Sequence, residues 1–267
     1  TARVAGGALL AELDEQALAA GLVCPVGVVS HTGVAGLTLG GGMGRLQRKH
    51  GLSIDNLLSV ELVTADGRLV RATEEENPEL FWGLRGAGAN FGIATSFTFR
   101  LHPFDGTITH GTVVHPVEDA RELAAVYRTT LEAGPDELWM GFGLGAADGR
   151  PVATVTVHHC GPGEQAEQDL AELRAFGAPL DDSIERTRYL SVQQLHDEEE
   201  AWGHRFYMKS VFLPALPHEL VDLAVEQAAR GPAGADGGFS TGGGGGAMAS
   251  VPDDATASTG RDASFWF

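Results

Sequence analysis

The sequence predicts an α+β protein built in two parts, and two observations carry this prediction. Short strand and helix patterns alternate over the first hundred residues, whereas strand patterns joined by tight turns and flanked by longer helices follow from residue 107 onward. The 267 residues also give room for two domains of ordinary size. We therefore assign residues 1–105 to a first domain and residues 106–267 to a second.

The first part has clear start and stop signals. Gly21 can end the first helix, and the turn Ala65-Asp66-Gly67 can join two strands into a hairpin. Thr73 and Glu76 form a capping box before Pro78, which suits the first turn of a helix. The predicted elements are, in order, a strand at residues 2–5, a helix at 8–20, strands at 57–64 and 68–72, a helix at 78–84 and a strand at 93–101, with Ile93, Thr95, Phe97 and Phe99 on one side.

The second part reads as an antiparallel sheet with helices. The turn Asp148-Gly149 joins two of its strands into a hairpin, and the glycine run Gly242–Gly246 is expected to form a mobile loop because it has no side chains to pack. The predicted elements are a strand at residues 109–115, a helix at 117–132, strands at 138–144 and 152–158, a helix at 164–176, a strand at 205–212 and a helix at 217–229.

Composition and charge disfavour several classes of partner and location. The chain has 18 basic and 36 acidic residues, and its net charge of −18 disfavours nucleic acid and anionic membranes as partners. No apolar run approaches the roughly 18 residues that a membrane span needs. The two cysteines cannot form a disulfide framework, so we expect a cytoplasmic protein unless a segment before Thr1 carries an export signal. Both ends of the chain are expected to be cuts through a larger fold.

Glycine is the compositional anomaly. The chain has 37 glycines, about twice the usual share of roughly 7%. Six of them lie between Ser30 and Gly44, where they could form a turn at which two elements cross closely. Alternatively, their bare backbone could hold a pyrophosphate or a flat ring. The Ser and Thr side chains at the entrance of this segment favour the second interpretation.

Other familiar motifs are absent or misplaced. Gly86–Gly92 has the wrong spacing for a dinucleotide fingerprint. A helix precedes it and a strand follows it, which is the reverse of the order that the fingerprint requires. It could still be a tight connection from helix to strand that lies near a ligand. His158, His159 and Cys160 alternate across a strand and have no partner cluster, so we predict no metal site. The chain has no Walker loop and no common hydrolase motif.

Several ordered blocks of the sequence resemble the berberine bridge enzyme-like FAD-linked oxidases. The blocks with the strongest resemblance are Gly36-Leu37-Thr38-Leu39-Gly40-Gly41-Gly42-Met43-Gly44, Lys49-His50-Gly51-Leu52, Val63-Thr64-Ala65-Asp66-Gly67, Asn77-Pro78-Glu79-Leu80-Phe81-Trp82-Gly83-Leu84-Arg85-Gly86 and Asn90-Phe91-Gly92-Ile93-Ala94-Thr95-Ser96-Phe97. Their order and spacing match the family, whereas the rest of the chain is similar more loosely.

This resemblance implies a fold, a reaction and a cofactor. The fold would be the C-terminal part of a PCMH-type FAD-binding domain, followed by an antiparallel-sheet substrate domain flanked by helices. A small substrate (a sugar, an alkaloid or a polyketide-like molecule) would give hydride to FAD while a base takes a proton, and dioxygen would reoxidise the flavin. Matching positions imply that Ile93 lies near the adenylate end of FAD and that the remaining contacts are Ser30, Thr32, Gly33, Gly36, Leu37, Gly42 and Gly44.

The chain also departs from the family pattern. The family's preceding loop of Arg-Ser-Gly-Gly-His type, whose His often bonds FAD covalently, is absent from the sequence. Some members add a cysteinyl bond at the position of Val29, and Cys24 lies five residues earlier, so we expect no double covalent link. Members usually carry His at the position of Gly260.

The catalytic base is left unassigned, and Tyr207 is the one candidate for a substrate-facing residue; its alternative is a packed strand tyrosine. Two other functions stay open. The chain could be a non-catalytic relative that binds a partner without flavin, or a protein that binds a sugar or another small molecule through its second domain alone. We make no prediction of oligomeric state.

Overall fold

A computed structural model describes residues 1–205, 207–230 and 238–266. Its strands, in chain order, are β1 (Ala2–Ala5), β2 (Leu22–Val23), β3 (Leu57–Val63), β4 (Leu69–Ala72), β5 (Ile93–Phe99), β6 (His102–Pro103), β7 (Thr107–Pro116), β8 (Leu138–Ala147), β9 (Arg150–His159), β10 (Asp181–Asp182), β11 (Glu185–Arg188), β12 (Phe212–Leu213), β13 (Phe239–Gly243) and β14 (Phe265–Trp266). Its α-helices are α1 (Leu10–Ala19), α2 (Val34–Leu39), α3 (Gln47–His50), α4 (Pro78–Leu84), α5 (Ala120–Ala133), α6 (Gly163–Asp169), α7 (Ala171–Ala175), α8 (Tyr189–Gln193), α9 (His218–Arg230) and α10 (Gly246–Ala249).

The chain divides into two compact units. Unit 1 contains Thr1–Thr107, Arg188–Tyr207 and Gly246–Arg261, and unit 2 contains Ile108–Thr187, Met208–Gly245 and Asp262–Phe267. The first long stretch therefore ends beside the boundary that the sequence predicts. The two later segments of unit 1 lie in the part of the sequence that we assigned to the second domain.

Unit 1 is built on a four-stranded antiparallel sheet in the order β1-β5-β3-β4. Apolar side chains from the sheet, from α1 and from α4 form one buried core, which includes Leu10, Val60, Phe81 and Phe97. The predicted β3–β4 hairpin is confirmed, and Gly67 supplies the left-handed turn residue at φ +79°.

Unit 2 is built on a second antiparallel sheet, whose strand path runs β10-β7-β9-β8-β13-β14-β12. Its apolar residues alternate along each strand, so that one face packs against α5, α7 and α9 around Tyr127 and Phe142. The α+β prediction with antiparallel sheets is therefore confirmed. No helix in the described ranges is both long and apolar enough to cross a membrane.

Two strand predictions are wrong in part. The predicted strand at residues 205–212 begins only at Phe212, because the described residues before it pair with no strand; Phe206 lies outside the described residues. Along β5, Ile93 is 76% exposed whereas Phe97 and Phe99 are buried. The pairing of β5 with β3 shifts register between Glu61 and Leu62, and such a bulge interrupts the alternation of faces.

The predicted mobile loop at Gly242–Gly246 is also wrong. Gly242 and Gly243 belong to β13, and Gly246 begins α10. A Cβ on Gly242 would lie 2.3 Å from Cζ2 of Trp266, and a Cβ on Gly243 would lie 2.3 Å from Cδ2 of Leu131. These glycines make room for bulky neighbours, so the run is packed sheet structure. The predicted helix at 164–176 is likewise divided, into α6 and α7 at Leu170.

Candidate functional site

The glycine-rich segment folds into a loop followed by the short helix α2. Gly33 is the N-cap of α2, and Gly40 is its C-cap. Backbone hydrogen bonds tie the loop to the start of α1: the amide of Leu10 donates to the Thr32 carbonyl, and the amide of Ala11 donates to the Ser30 carbonyl. The loop is therefore held to α1 by its backbone at Ser30 and Thr32.

The glycines of this segment fall into two groups. Gly33 and Gly36 are exposed, and a Cβ on either one would meet no atom within 4 Å. By contrast, a Cβ on Gly42 would lie 2.3 Å from Oγ of Ser53, and a Cβ on Gly44 would lie 1.8 Å from the Val26 carbonyl oxygen. Only the first group offers bare backbone to an approaching ligand, whereas the second is required by the packing of the fold.

The other predicted FAD contacts have varied surroundings. The Leu37 side chain packs against Gly27 and Gly42, so it fills space inside the segment. Thr32 is half-buried, with its carbonyl bonded to α1. Ser30 is buried, and Ile93 lies exposed at the start of β5 rather than in the loop. The structure therefore brings Ser30 to Leu37 together on one loop and helix, and their contacts with FAD stay predictions.

The Ser30 side chain is engaged by a residue that the sequence did not single out. The Ser30 amide donates to Oδ1 of Asp197 at 2.8 Å, and the Ser30 hydroxyl donates to Oδ2 at 2.5 Å. The Nε2 atom of His31 lies 3.2 Å from the Asp197 carbonyl oxygen. A separation of 167 residues carries no local motif, so sequence reasoning could not pair Ser30 with Asp197.

A buried polar network lies under the same segment. Nε2 of Gln193 donates to Oδ2 of Asp14 at 3.0 Å and to the Gly27 carbonyl at 2.8 Å, while its Oε1 accepts from Nη1 of Arg45 at 2.9 Å. Burial raises the pKa of Asp14 to about 7, although the hydrogen bond from Gln193 and the charge of Arg45 oppose the shift. Burial also raises the pKa of the Cys24 thiol, so this cysteine is no ready nucleophile.

A buried ion pair holds the segment that contains α10 in unit 1. Arg261 forms two bonds with the Asp55 carboxylate, Nη2 to Oδ1 at 2.7 Å and Nη1 to Oδ2 at 3.0 Å, and it also donates to Oγ1 of Thr256. Gly86 packs against this segment, because a Cβ there would lie 2.4 Å from the amide nitrogen of Ser258. The glycine at position 86 therefore serves packing.

In unit 2, three aromatic rings stack across neighbouring strands; we call His110, His158 and Trp139 the ring ladder. The centroids of the two His rings are 4.7 Å apart, and those of Trp139 and His158 are 4.9 Å apart. Nδ1 of His110 lies 3.0 Å from Nδ1 of His158, so one ring donates and the other accepts. The ladder lies on the sheet face opposite the helices, because residues that alternate with it, such as Val157 and Met140, belong to the helix-covered core.

The remaining predicted motifs serve structure. His159 lies next to the ladder along β9 but faces the helices, where its Nε2 is 2.9 Å from Oδ2 of Asp169 and its Nδ1 accepts from the Gly161 amide. Within the described ranges, no three His, Cys, Asp or Glu side chains are grouped so that they could hold a metal ion.

Tyr207, the predicted substrate-facing residue, is 89% exposed and belongs to no strand. Its predicted place on the sheet is therefore wrong, and its role with substrate stays a prediction.

Known proteins resemble both the sequence and the fold. The family model described as "FAD binding domain" matches residues 1–73. An FAD-linked oxidoreductase of Dictyostelium discoideum is 34% identical over 230 residues, which are 85% of this chain and 50% of that protein. The (R)-6-hydroxynicotine oxidase of Paenarthrobacter nicotinovorans is 36% identical over 201 residues, which are 74% of this chain and 44% of that protein.

The solved structure of a BBE-like protein of Physcomitrella patens superposes with a TM-score of 0.84 at 25% identity and covers 99% of this chain and 60% of that one. These matches confirm the fold class and FAD as the cofactor of the family. The chain spans about half the length of the curated relatives it matches. It belongs to the family of FAD-linked oxidoreductases that resemble berberine bridge enzyme.

Proposed function

We propose that the full-length protein is an FAD-dependent oxidase that moves a hydride from a small organic substrate to the flavin, with dioxygen as the final electron acceptor. The observation that carries this proposal is the bare, open backbone at Gly33 and Gly36, inside the stretch that matches the FAD-binding family. A flat or phosphorylated ligand can approach such a backbone closely, and the residues present therefore fit the cofactor. When bound, FAD supplies the hydride-accepting chemistry.

The first test separates cofactor binding from folding at Gly36. Gly36 is an exposed glycine inside α2, so Gly36→Ala should stabilise the fold by about 0.5–1 kcal/mol. The added methyl group would occupy the side from which we propose that FAD approaches, so the affinity of the full-length apoprotein for FAD should fall about tenfold. Quenching of flavin fluorescence measures the affinity, and urea unfolding measures the stability.

Gly163→Ala is the matched control. Gly163 begins the helix α6 in unit 2, and a Cβ there would also meet no atom within 4 Å. This variant should leave the affinity for FAD unchanged. Equal affinities in the wild type, Gly36→Ala and Gly163→Ala would contradict the role of Gly36. A full-length wild-type protein that is purified without flavin, and takes up none when FAD is added, would contradict the proposed function itself.

For the substrate side, we propose that the ring ladder receives the small molecule and that its His pair accepts the proton lost from it. The support is chemical: hydride removal from a C–H next to a hydroxyl or amine also requires a proton acceptor, and in the neutral His pair the ring that donates from Nδ1 has its basic lone pair at Nε2. Trp139 adds an aromatic surface beside the pair. Sugars, alkaloids and polyketide-like molecules all stay open as substrates.

We therefore expect His158→Asn to lower kcat/KM at least tenfold while the flavin spectrum and flavin content stay unchanged. The substitution removes one imidazole of the His pair that we propose accepts the proton, but it keeps a polar side chain of moderate size on the strand. His218→Asn is the control, because His218 is exposed at the start of α9. Activities are compared as oxygen consumption on a panel of alcohols, amines and oligosaccharides, and an active His158→Asn enzyme with wild-type kcat/KM would refute the assignment.

A further inference from the structure

Part of unit 1 consists of a segment that returns to it from far along the chain. We call residues 188–197 the return segment. It begins beside Gly106, where the Tyr189 amide donates to the Gly106 carbonyl, and it continues through α8. Phe104 and Tyr189 pack edge to face with centroids 5.3 Å apart. These contacts fix the start of the return segment in unit 1.

Gln193, the last residue of α8, is the first point at which the return segment holds the glycine-rich loop. Its side chain is 1% exposed and bonds to the Gly27 carbonyl, which lies three residues before Ser30. It also accepts from Arg45, which follows Gly44 directly and itself donates to the Val28 carbonyl at 3.3 Å. A single amide therefore ties together the two ends of the segment that contains all six glycines.

Asp197 is the second point of attachment. Its carboxylate accepts both the amide and the hydroxyl of Ser30, and its carbonyl oxygen lies within hydrogen-bond distance of His31. Hydrogen bonds to an ionised carboxylate are stronger than neutral ones. Ser30 and His31 lie just before Gly33, so the bonds from Asp197 fix the position of the backbone at the point where the exposed glycines begin.

A glycine-rich loop needs such support more than most loops do. Glycine loses more conformational freedom on folding than any other residue, and a binding loop must be held close to its productive geometry by residues around it. Val28, next to the loop entrance, is 37% exposed and adds little packing. The bonds from Gln193 and Asp197 replace the side-chain packing that the glycines cannot supply.

We propose that Gln193 and Asp197 are positioning residues for the FAD-binding loop, acting through Gly27, Arg45 and Ser30 without touching the cofactor. This inference rests on the proposed function, because it assigns the loop to FAD. It predicts that the affinity for FAD depends on Gln193, which lies more than 140 residues after its bonding partner Arg45 in the sequence.

The experiment measures the affinity of the full-length apoprotein for FAD by flavin fluorescence, together with the melting temperature of each variant. Asp197→Ala and Gln193→Met should each weaken FAD binding about tenfold. In a double-mutant cycle, Ser30→Ala and Asp197→Ala should be non-additive, because both changes remove the bond from the Ser30 hydroxyl, and Asp197→Ala also removes the bond from the Ser30 amide. Val155→Ala, in the core of unit 2, is the control: it should lower the melting temperature comparably without changing the affinity.

Each other outcome also has a meaning. If the wild type binds FAD and neither Asp197→Ala nor Gln193→Met changes the affinity beyond the Val155→Ala control, the positioning role is refuted while the proposed function stands. If Asp197→Ala binds FAD more tightly, the carboxylate competes with the cofactor for Ser30, and the positioning role of Asp197 is likewise refuted. A wild-type protein that binds no FAD contradicts the proposed function before the variants are compared.

Discussion

Arg261→Met should lower the free energy of unfolding by about 3–5 kcal/mol, because it leaves the Asp55 carboxylate buried without its counter-charge. The side chains of Arg261 and Asp55 are only 1% and 9% exposed. The Asp55 carboxylate also accepts the amide of Leu52, so it cannot turn towards solvent without losing a further bond. Urea unfolding followed by circular dichroism measures the loss.

Two further variants give this prediction its controls. Arg68→Met breaks an exposed pair with Asp66, in which the two side chains are 76% and 55% exposed, and it should lower stability far less than Arg261→Met does. Replacing both members of the buried pair, as in Arg261→Met with Asp55→Leu, should cost less than Arg261→Met alone, because no isolated charge is left. If Arg261→Met costs no more than Arg68→Met, the buried pair does not hold the segment that contains α10 in place.

The local elements of unit 1 could be predicted because their signals are local. In the hairpin, the turn residue Gly67 supplies a left-handed φ that other residues rarely adopt. Pro78 begins α4 as predicted. The predicted capping box is wrong, because Thr73 Oγ1 accepts the Glu75 and Glu76 amides in a turn before the helix, and the Thr73 amide donates to the Glu76 carbonyl instead of its side chain. Signals of this kind span only a few residues, so they can be recognised in the sequence without knowledge of tertiary contacts.

The role of each glycine could not be predicted, because it depends on distant neighbours. Gly36 and Gly42 are glycines of the same run, so the sequence does not distinguish them. In the structure Gly36 faces open space, whereas Gly42 packs on Ser53. The same cause explains the error at Gly242, where the large ring of Trp266 lies 24 residues further along the chain. A glycine-rich composition indicates that the backbone must be free of side chains, but it does not indicate which group packs against that backbone.

The support of the loop could not be predicted either. Gln193 and Asp197 lie in a polar stretch that has the composition of a solvated surface, and their partners are Gly27, Arg45 and Ser30. Only the return of residues 188–207 to unit 1 brings them together. A sequence signal for such a contact would need correlated changes at paired positions across many relatives.

Asp14 should make the stability of the protein fall as the pH rises from about 4 to about 7. Its pKa is about 7 in the folded protein, compared with 3.8 for an ordinary aspartate. Between these values the unfolded chain carries the ionised carboxylate while the folded chain still holds its proton, so raising the pH favours unfolding. The contribution is fully present below pH 3.8 and has been lost once the pH passes about 7, and it amounts to roughly 4 kcal/mol at 1.36 kcal/mol per pH unit.

Asp14→Asn removes this titration and keeps an oxygen that can accept from Gln193. Its free energy of unfolding, measured in urea from pH 4.5 to pH 8, should therefore decline less steeply than that of the wild type, and it should be the more stable protein at pH 8. Asp66→Asn is the control, because hydrogen bonds from Thr64 and Arg68 lower the pKa of Asp66 to about 2, so its effect is confined to acid. Parallel curves for the wild type and Asp14→Asn would show that Asp14 ionises normally. The steeper wild-type curve that we expect would confirm that burial keeps the proton on Asp14 up to a pH of about 7, against the opposing hydrogen bond from Gln193.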